Sequence, residues 1–439
     1  MSLSFSSRFA RLSLASSVAL LLLTVSGWLV TNYAAAQACA GWPLCAPAGA
    51  GGWVNLLHRV ASAMAAGILL ILVQQAWTRQ RDNRILLPLT TVVAVLFVAQ
   101  AFTGAMGVLR GSPVYLSLLH NLSAIALWAA MLALVVVSGL LAGDGTVIFP
   151  PIDWRERSRD YLTLTKPTIV LLLLVTTFAG MIAGAKAFPP LWLVFWTLLG
   201  GAMAAGGSGA LNQYIDRDID RHMQRTAKRP MAAGRMTPAE GLAFGLAMCI
   251  VSFYILAGFV NLLAALLSLA GIIYYVLLYS VLLKKATVQN IVIGGGAGAI
   301  PPLVGWAAAT GRLDAPAFFM FAIIFLWTPP HFWALSLVRR KDYERAGVPM
   351  LPVVRGERET RRQVLIYTIE LVALTLLMPV LHLAGSVYLV SALVLGGWLL
   401  YGAWRLYREE GNKVAWQMFR WSSMYLMFIF LALVVDALV

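Results

Sequence analysis

The sequence predicts an all-α integral membrane protein of about 13 transmembrane helices. Three observations predict it. Of 439 residues, 60% are apolar and only 12% are charged, about half the charge of an ordinary soluble domain at roughly 25%. Mean hydropathy is +0.81, which excludes a soluble globular chain and a disordered one. The apolar residues fall in blocks of about 20, the length that crosses a hydrocarbon core of about 30 Å. The net charge of +15 needs no nucleic acid as partner, because connections on the cytoplasmic side of a lipid bilayer collect Lys and Arg.

The spans lie near 12–32, 54–76, 85–108, 115–141, 162–185, 190–212, 238–260, 262–283, 288–310, 316–338, 363–383, 386–404 and 416–437. The first follows Arg8 and Arg11 like a signal peptide, but its apolar run exceeds an h-region of about 7–15 residues, so it reads as a retained span. With the N-terminus inside, 29 of the 33 Lys and Arg fall in inner connections, and only Arg59, Arg110, Lys186 and Arg312 fall outside. One missed span would invert every later connection, so this bias predicts a multi-pass protein with its N-terminus inside and its C-terminus outside. Residues 143–160, GDGTVIFPPIDWRERSRD, have linker composition. They separate a four-helix unit (1–142) from a nine-helix unit (161–439).

The densest chemical signal is Asn212-Gln-Tyr-Ile-Asp216-Arg-Asp218-Ile-Asp220, at the inner end of the sixth span. Asn212, Asp216 and Asp220 stand at i, i+4 and i+8, within roughly 80° of one another on one helix face, and Asp218 points away. One amide oxygen and two carboxylates make a hard-oxygen site suited to Mg²⁺, which takes one or two protein carboxylates and completes its shell with water and substrate phosphate. The competing reading is that the acids neutralise Arg217, Arg221 and Arg225 at a helix end. Arg225, Lys228 and Arg229 suit an anionic ligand better than a purely protein salt cluster. Upstream, Ala-Ala-Gly-Gly-Ser-Gly (204–209) permits close backbone approach.

Asn-x-x-x-Asp-x-x-x-Asp followed by Arg225-Thr226-x-x-Arg229-Pro230 resembles the first motif of the UbiA-like intramembrane prenyltransferases. The resemblance narrows to the protoheme IX farnesyltransferase (heme O synthase) branch. It rests there on Leu164-Thr165-Lys166-Pro167, on Tyr279, Lys284, Lys285, Thr287 and Asn290 before the Gly-rich run 293–306, and on Thr328-Pro-Pro-His331-Phe-Trp before Asp342-Tyr-x-x-Ala-Gly-Val-Pro-Met-Leu-Pro352. It covers about 157–439. It implies transfer of a farnesyl group from farnesyl diphosphate to a vinyl group of heme b in a bacterial-type inner membrane, for cytochrome oxidase biogenesis. It assigns Asn212, Asp216 and Asp220 to Mg²⁺ and diphosphate, with Lys166, Arg225, Arg229 and Lys284 as diphosphate clamps. Relatives often carry a second Asp-x-x-x-Asp; here the segment reads Arg339-Arg-Lys-Asp342-Tyr-Glu344-Arg345. Asp342 is then a second metal or electrostatic site, and Arg339 and Arg340 face the heme propionates. His331 reads as a hydrogen-bonded core residue or as a heme contact. The competing readings are a prenyltransferase acting on a quinone or chlorophyll-type acceptor, and a non-catalytic heme carrier.

His58 and His120 are the only histidines before residue 143, each about one turn inside a span that starts at the outer face. That is the placement of a bis-His heme between helices. Cys39-Ala-Gly-Trp42-Pro43-Leu44-Cys45, His58-Arg59, Gln100-x-x-x-Gly104 and Leu119-His120-Asn-Leu-Ser-Ala124 resemble one half of heme A synthase. Asn55 stands where that family carries an acid. The resemblance implies a heme-binding or heme-handover unit. A two-heme enzyme would need the missing half from a heme A synthase partner or from self-association. Cys39 and Cys45 face the oxidising side and could close a disulfide; Cys249, inside a span, reads as an apolar filler.

Overall fold

The computed structural model describes residues 4–32, 38, 42–43, 46–111, 113–141 and 153–439. The Cys39 and Cys45 pair lies outside the described residues. Among the described residues the regular structure is helical, with no strand. Among the described residues thirteen helices are long and apolar enough to cross a membrane, and each overlaps an expected span. In the membrane only helices and closed barrels satisfy the backbone internally.

By packing, the chain forms two compact units: Met1–Arg159 with Met236–Tyr254, and Asp160–Arg235 with Ile255–Val439. In the first, α1 (Arg8–Asn32) pairs with α2 (Gly49–Arg79), and α3 (Leu86–Leu109) with α4 (Val114–Leu140). Phe9, Leu20, Leu72, Leu87, Met131 and Leu134 form its core, together with Ala239 and Ala243. A buried Ser13–Ser138 hydroxyl pair at 2.7 Å joins α1 to α4. Leu70, Val98, Ile125 and Leu132 remain exposed, as a lipid-facing surface requires. A short amphipathic helix, α5 (Trp154–Leu164), follows the linker.

The second unit comprises α6 (Pro167–Ala185), α7 (Leu191–Asp220), the end of α8 (Pro238–Phe259) and α9 (Leu262–Ile273) with a π-helical continuation, Tyr274–Leu283. It continues through α10 (Asn290–Thr310), α11 (Ala315–Val338), the short α12 (Arg340–Arg345) and α13 (Leu351–Val354), α14 (Gly356–Val380), α15 (Ser386–Arg408) and α16 (Asn412–Leu438). Helices α6 and α10 approach closely because glycine permits it. A Cβ at Gly305 would collide with the Thr177 carbonyl, and one at Gly180 with the Pro302 carbonyl. Tyr388 and Tyr425 are fully buried in the core formed largely by α10, α11, α14, α15 and α16. Cys249 is free and buried, as a filler should be.

Candidate active site

Helix α7 runs on past its apolar stretch to Asp220, so one continuous helix carries Asn212, Asp216 and Asp220. All three are buried, at 3%, 1% and 3% exposure, whereas the Asp218 side chain is 67% exposed. The two readings of this acidic run therefore separate. Arg217 and Arg221 lie 3.6 and 3.9 Å from Asp218, so neutralisation at the helix end falls on the exposed acid. The buried acids take cations from elsewhere in the chain: Lys284 binds Asp216, and Arg229 Nη1 donates to Asp220 Oδ2 at 2.7 Å.

The rest of the cluster closes around these pairs. Lys166 Nζ donates to Asn212 Oδ1 at 2.6 Å and to the Tyr275 hydroxyl at 3.3 Å. Asn212 Nδ2 donates to Asp216 Oδ2 at 2.8 Å and to Ser280 Oγ at 3.0 Å. Gln213 Nε2 donates to the carbonyls of Thr163 and Leu164 at 3.2 and 3.0 Å, and Gly209 leaves room for the Leu164 and Thr165 carbonyls. This seats the α5–α6 junction against α7 and aims Lys166. Lys166 itself sits in the left-handed region at φ 56°, a conformation that costs a non-glycine residue about 1–3 kcal/mol and collects at functional sites.

The π-helical stretch Tyr274–Leu283 supplies the far wall. π turns are rare and frequent at functional sites. The wider turn stacks Tyr275 on Tyr279 with centroids 5.6 Å apart and lets Ser280 donate back to the Tyr275 carbonyl at 2.9 Å. Asn290 Nδ2 donates to the Lys284 carbonyl at 3.2 Å, which ties the start of α10 to the lysine. Tyr275, Ser280 and Gln213 escaped the residue-by-residue expectations. The only signal for Tyr275 was its place four residues before Tyr279.

Arg225 is exposed and makes no ion pair among the described residues. It lies within electrostatic reach of Tyr279 and of Tyr343 on α12. Asp342 is buried at 6% and pairs with Arg345, with Arg339 at 4.0 Å. Arg340 turns instead to Glu357 at 3.3 Å. The two arginines expected to act together thus face different acids. Burial raises the neighbouring Tyr343 phenol above its usual range.

His331 is buried and stacked between Trp327 and Phe419, at 4.2 and 4.4 Å between centroids. Ser422 Oγ donates to the Phe419 carbonyl at 2.9 Å, so it accepts from His331 Nδ1–H at 2.7 Å.

In the first unit, His58 and His120 lie within electrostatic reach of each other. Ser26 Oγ donates to the Leu23 carbonyl at 2.7 Å and so accepts from His58 Nδ1–H at 2.9 Å. Thr103 Oγ1 donates to the Ala99 carbonyl at 3.0 Å and accepts from His120 Nδ1–H at 3.1 Å. The glycine after each hydroxyl residue makes room for the ring: a Cβ at Gly27 or Gly104 would stand 3.2 Å from the imidazole Cε1 of His58 or His120. The two helical hairpins thus build the same Ser/Thr-Gly against His arrangement. In both, Nε2 is the nitrogen that keeps a lone pair; Gln100 Nε2 donates to that of His120 at 3.0 Å. Asn55 accepts from Arg59 at 2.8 Å.

The donor set can be tested against the divalent cation that it suggests. Asp216 Oδ1 is buried without a hydrogen-bond partner, an expensive arrangement unless a ligand satisfies it. Among the described residues no group of three or more His, Cys, Asp or Glu gathers. What gathers is two carboxylates and an amide oxygen, which fits Mg²⁺ and does not fit a soft metal.

Residues 173–431 match the UbiA prenyltransferase family, and residues 2–132 match the cytochrome oxidase assembly protein family COX15-CtaA. A protoheme IX farnesyltransferase of Roseiflexus sp. (strain RS-1) is 41% identical over 98% of this chain and 84% of its own length. That of Symbiobacterium thermophilum is 52% identical, over 63% of this chain and 94% of its own. Among solved structures, one described for digeranylgeranylglyceryl phosphate synthase superposes with a TM-score of 0.56 at 18% identity, covering 64% of this chain and 99% of that one. A UbiA homolog from Aeropyrum pernix K1 superposes at 0.50 and 21% identity, covering 62% and 98%; both bear on the fold alone. With its family motif, its relatives along nearly the whole length and its fold in agreement, the chain belongs to the UbiA prenyltransferase family, among the protoheme IX farnesyltransferases, and carries a COX15-CtaA segment at its N-terminus.

Proposed function

We infer that this protein is an enzyme that transfers the farnesyl group of farnesyl diphosphate to a vinyl group of protoheme IX, giving heme o in the inner membrane. The observation that carries the chemistry is the buried pair Asp216 and Asp220, held among Lys166, Arg229 and Lys284, with Asp216 Oδ1 unsatisfied.

Asn212, Asp216 and Asp220 would hold Mg²⁺. When bound, that ion supplies Lewis-acid neutralisation of the departing pyrophosphate. Lys166, Arg229 and Lys284, with Arg225 at the rim, bind the diphosphate and stabilise the charge that grows as the C–O bond breaks. Tyr275 and Tyr279 present π-faces, which favour positive charge nearby. The apolar surround keeps water from the allylic cation until a vinyl carbon of heme attacks it. Water then adds to the resulting porphyrin-side cation and loses a proton, giving the hydroxyethylfarnesyl group. His331 remains a candidate contact for heme, with Nδ1 fixed by Ser422.

Arg339 and Arg340 together would meet the heme propionates, since carboxylates in a low-dielectric site need paired charge. Replacing both by alanine is expected to raise KM for heme several-fold and to leave KM for farnesyl diphosphate nearly unchanged. Steady-state kinetics with each substrate varied checks this. A change confined to farnesyl diphosphate would move these residues to the other substrate, and Asp342, which Arg339 and Arg345 neutralise, would move with them.

The orientation is tested apart from the chemistry. A reporter fused after Gly411 should be cytoplasmic and one fused after Val439 should lie outside, following the 29-to-4 split of Lys and Arg. Both reporters on one side would contradict it.

In the first unit, His58 and His120 are proposed as axial ligands of one heme, which the unit stores or passes on. Metal-ligating histidines characteristically donate their other N–H to an acceptor that fixes the ring. Both Nδ1–H groups do so here.

A further inference from the structure

A cavity of about 400 Å³ lies within the first unit, between the first turn of α1 and the last turns of α2. Arg8 bounds it on the α1 side. On α2, Gln74, Gln75 and Arg79 line it, with Gln80 at the helix cap and Ile71 at the opposite end. Residues 71, 74, 75 and 79 share one face of the helix. That face passes from apolar through amide to cationic along the cavity. Among the described residues no acid lines it. Gln75 Oε1 is buried without a hydrogen-bond partner, so the cavity holds an acceptor that calls for a donor.

The depth of the cavity follows from helix length. Helix α2 has 31 residues, about 46 Å at about 1.5 Å each, against a hydrocarbon core of about 30 Å. Its polar end, Gln74-Gln-Ala-Trp-Thr-Arg-Gln80, therefore reaches the head-group layer, where Trp77 is an interfacial aromatic. Further into the membrane the same face is apolar and open. Ile71 is 47% exposed and Met64 65%, and a Cβ at Gly67 between them would meet nothing within 4 Å. An acyl chain can lie along that stripe.

We propose that this cavity binds the head group of phosphatidylglycerol, with one acyl chain along Ile71, Gly67 and Met64. Arg8 and Arg79 take the phosphodiester, to which guanidiniums donate charge-assisted hydrogen bonds. A glycerol hydroxyl supplies the donor that Gln75 Oε1 needs. An ethanolamine head group also carries donors, but its ammonium would stand beside two guanidiniums. A free phosphate has no chain to cover the apolar stripe. The site uses neither histidine of the unit: Gln75 stands about 25 Å along α2 from His58.

The test is native mass spectrometry of the full chain in mild detergent. The protein is titrated with phosphatidylglycerol, phosphatidylethanolamine and phosphatidic acid of identical chains. Phosphatidylglycerol should bind most tightly. Arg8→Ala and Arg79→Ala should each weaken its first binding step about fivefold, the worth of one basic residue beside an anionic lipid. Gln75→Leu should lower phosphatidylglycerol to the level of phosphatidic acid, again about fivefold, because the hydroxyl loses its acceptor. Arg355→Ala with Arg358→Ala, exposed cations of the second unit, is the control and should change neither lipid. Glycerol 3-phosphate, which has the phosphate without the chains, should displace the lipid only in about a hundredfold excess, since it buries no apolar surface. Unchanged binding in both arginine variants, or an equal loss in the control, would reduce the cavity to general surface charge and overturn the proposal. Equal binding of phosphatidylethanolamine or phosphatidic acid to the wild type would overturn the head-group assignment, and displacement by equimolar glycerol 3-phosphate would make it a soluble-anion site instead. Should an arginine variant fail to accumulate, Gln75→Leu carries the test: an unchanged preference for phosphatidylglycerol over phosphatidic acid in that variant contradicts the site.

Discussion

Asp216→Asn is expected to lower the rate of heme o formation by about a thousandfold, and Asp220→Asn by a comparable factor. A Lewis-acid cation is worth several kcal/mol of charge stabilisation at a departing phosphate, and each 1.36 kcal/mol is tenfold in rate. The isosteric amide keeps the volume and loses the charge. At Asp216 it also leaves Lys284 facing a neutral group, and at Asp220 it does the same to Arg229. Asp218→Asn is the internal control. That side chain is exposed and, among the described residues, pairs with Arg217 and Arg221, so its loss should change the rate less than twofold, in keeping with the small worth of surface ion pairs. Initial rates at saturating farnesyl diphosphate and matched protein levels in membranes check both statements. Full activity in Asp216→Asn, or an equal collapse in Asp218→Asn, would return the motif to helix-end neutralisation.

His58→Ala is expected to abolish a low-spin bis-imidazole heme spectrum in the purified protein, and His120→Ala should do the same. Neither should stop farnesyl transfer, because Asp216, Asp220, Lys166 and Lys284 stand on other helices. The expectation rests on two rings whose Nδ1–H groups are committed to Ser26 and Thr103, each with a glycine beside it. Ser26→Ala should weaken heme retention without abolishing it, by about 10–100-fold, as loss of an outer-shell partner does. A wild-type protein that purifies with no such spectrum when heme is supplied would leave the first unit without the ligation proposed. Loss of farnesyl transfer in His58→Ala would make the two chemistries one.

The spans were legible because each is a long apolar block, and the alternation of basic connections checks their number. The carboxylate face on α7 was legible for a related reason. Helical spacing puts Asn212, Asp216 and Asp220 together whatever surrounds them. Which acid serves the helix end and which faces inward was not legible, since that depends on Lys284 and Arg229 arriving from elsewhere and on burial that separates Asp218 from its neighbours. The π turns from Tyr274 to Leu283 have no periodic signature in a run where most residues are apolar, so Tyr275 and Ser280 went unnoticed. Glu240 shows the limit most clearly. Thr237-x-x-Glu240 is a local capping signal, and the two residues do cap α8, but nothing local points to Arg81, whose Nη2 donates to Glu240 Oε1 at 2.8 Å. The polar stretch at 143–160 marks a seam in composition, whereas packing puts Met236–Tyr254 with the first unit, through apolar contacts of Ala239 and Ala243. Small residues such as these pack closely without announcing a partner.

The most direct test of the central claim is a product assay. Membranes containing the full chain are incubated with heme b, farnesyl diphosphate and Mg²⁺, and the extracted hemes are weighed by mass spectrometry. The expected result is a heme whose mass has risen by one farnesyl group and one hydroxyl, formed only when Mg²⁺ is present and absent from the Asp216→Asn protein. Unmodified heme b alone, under conditions in which the same membranes prenylate a quinone-type acceptor, would contradict the account.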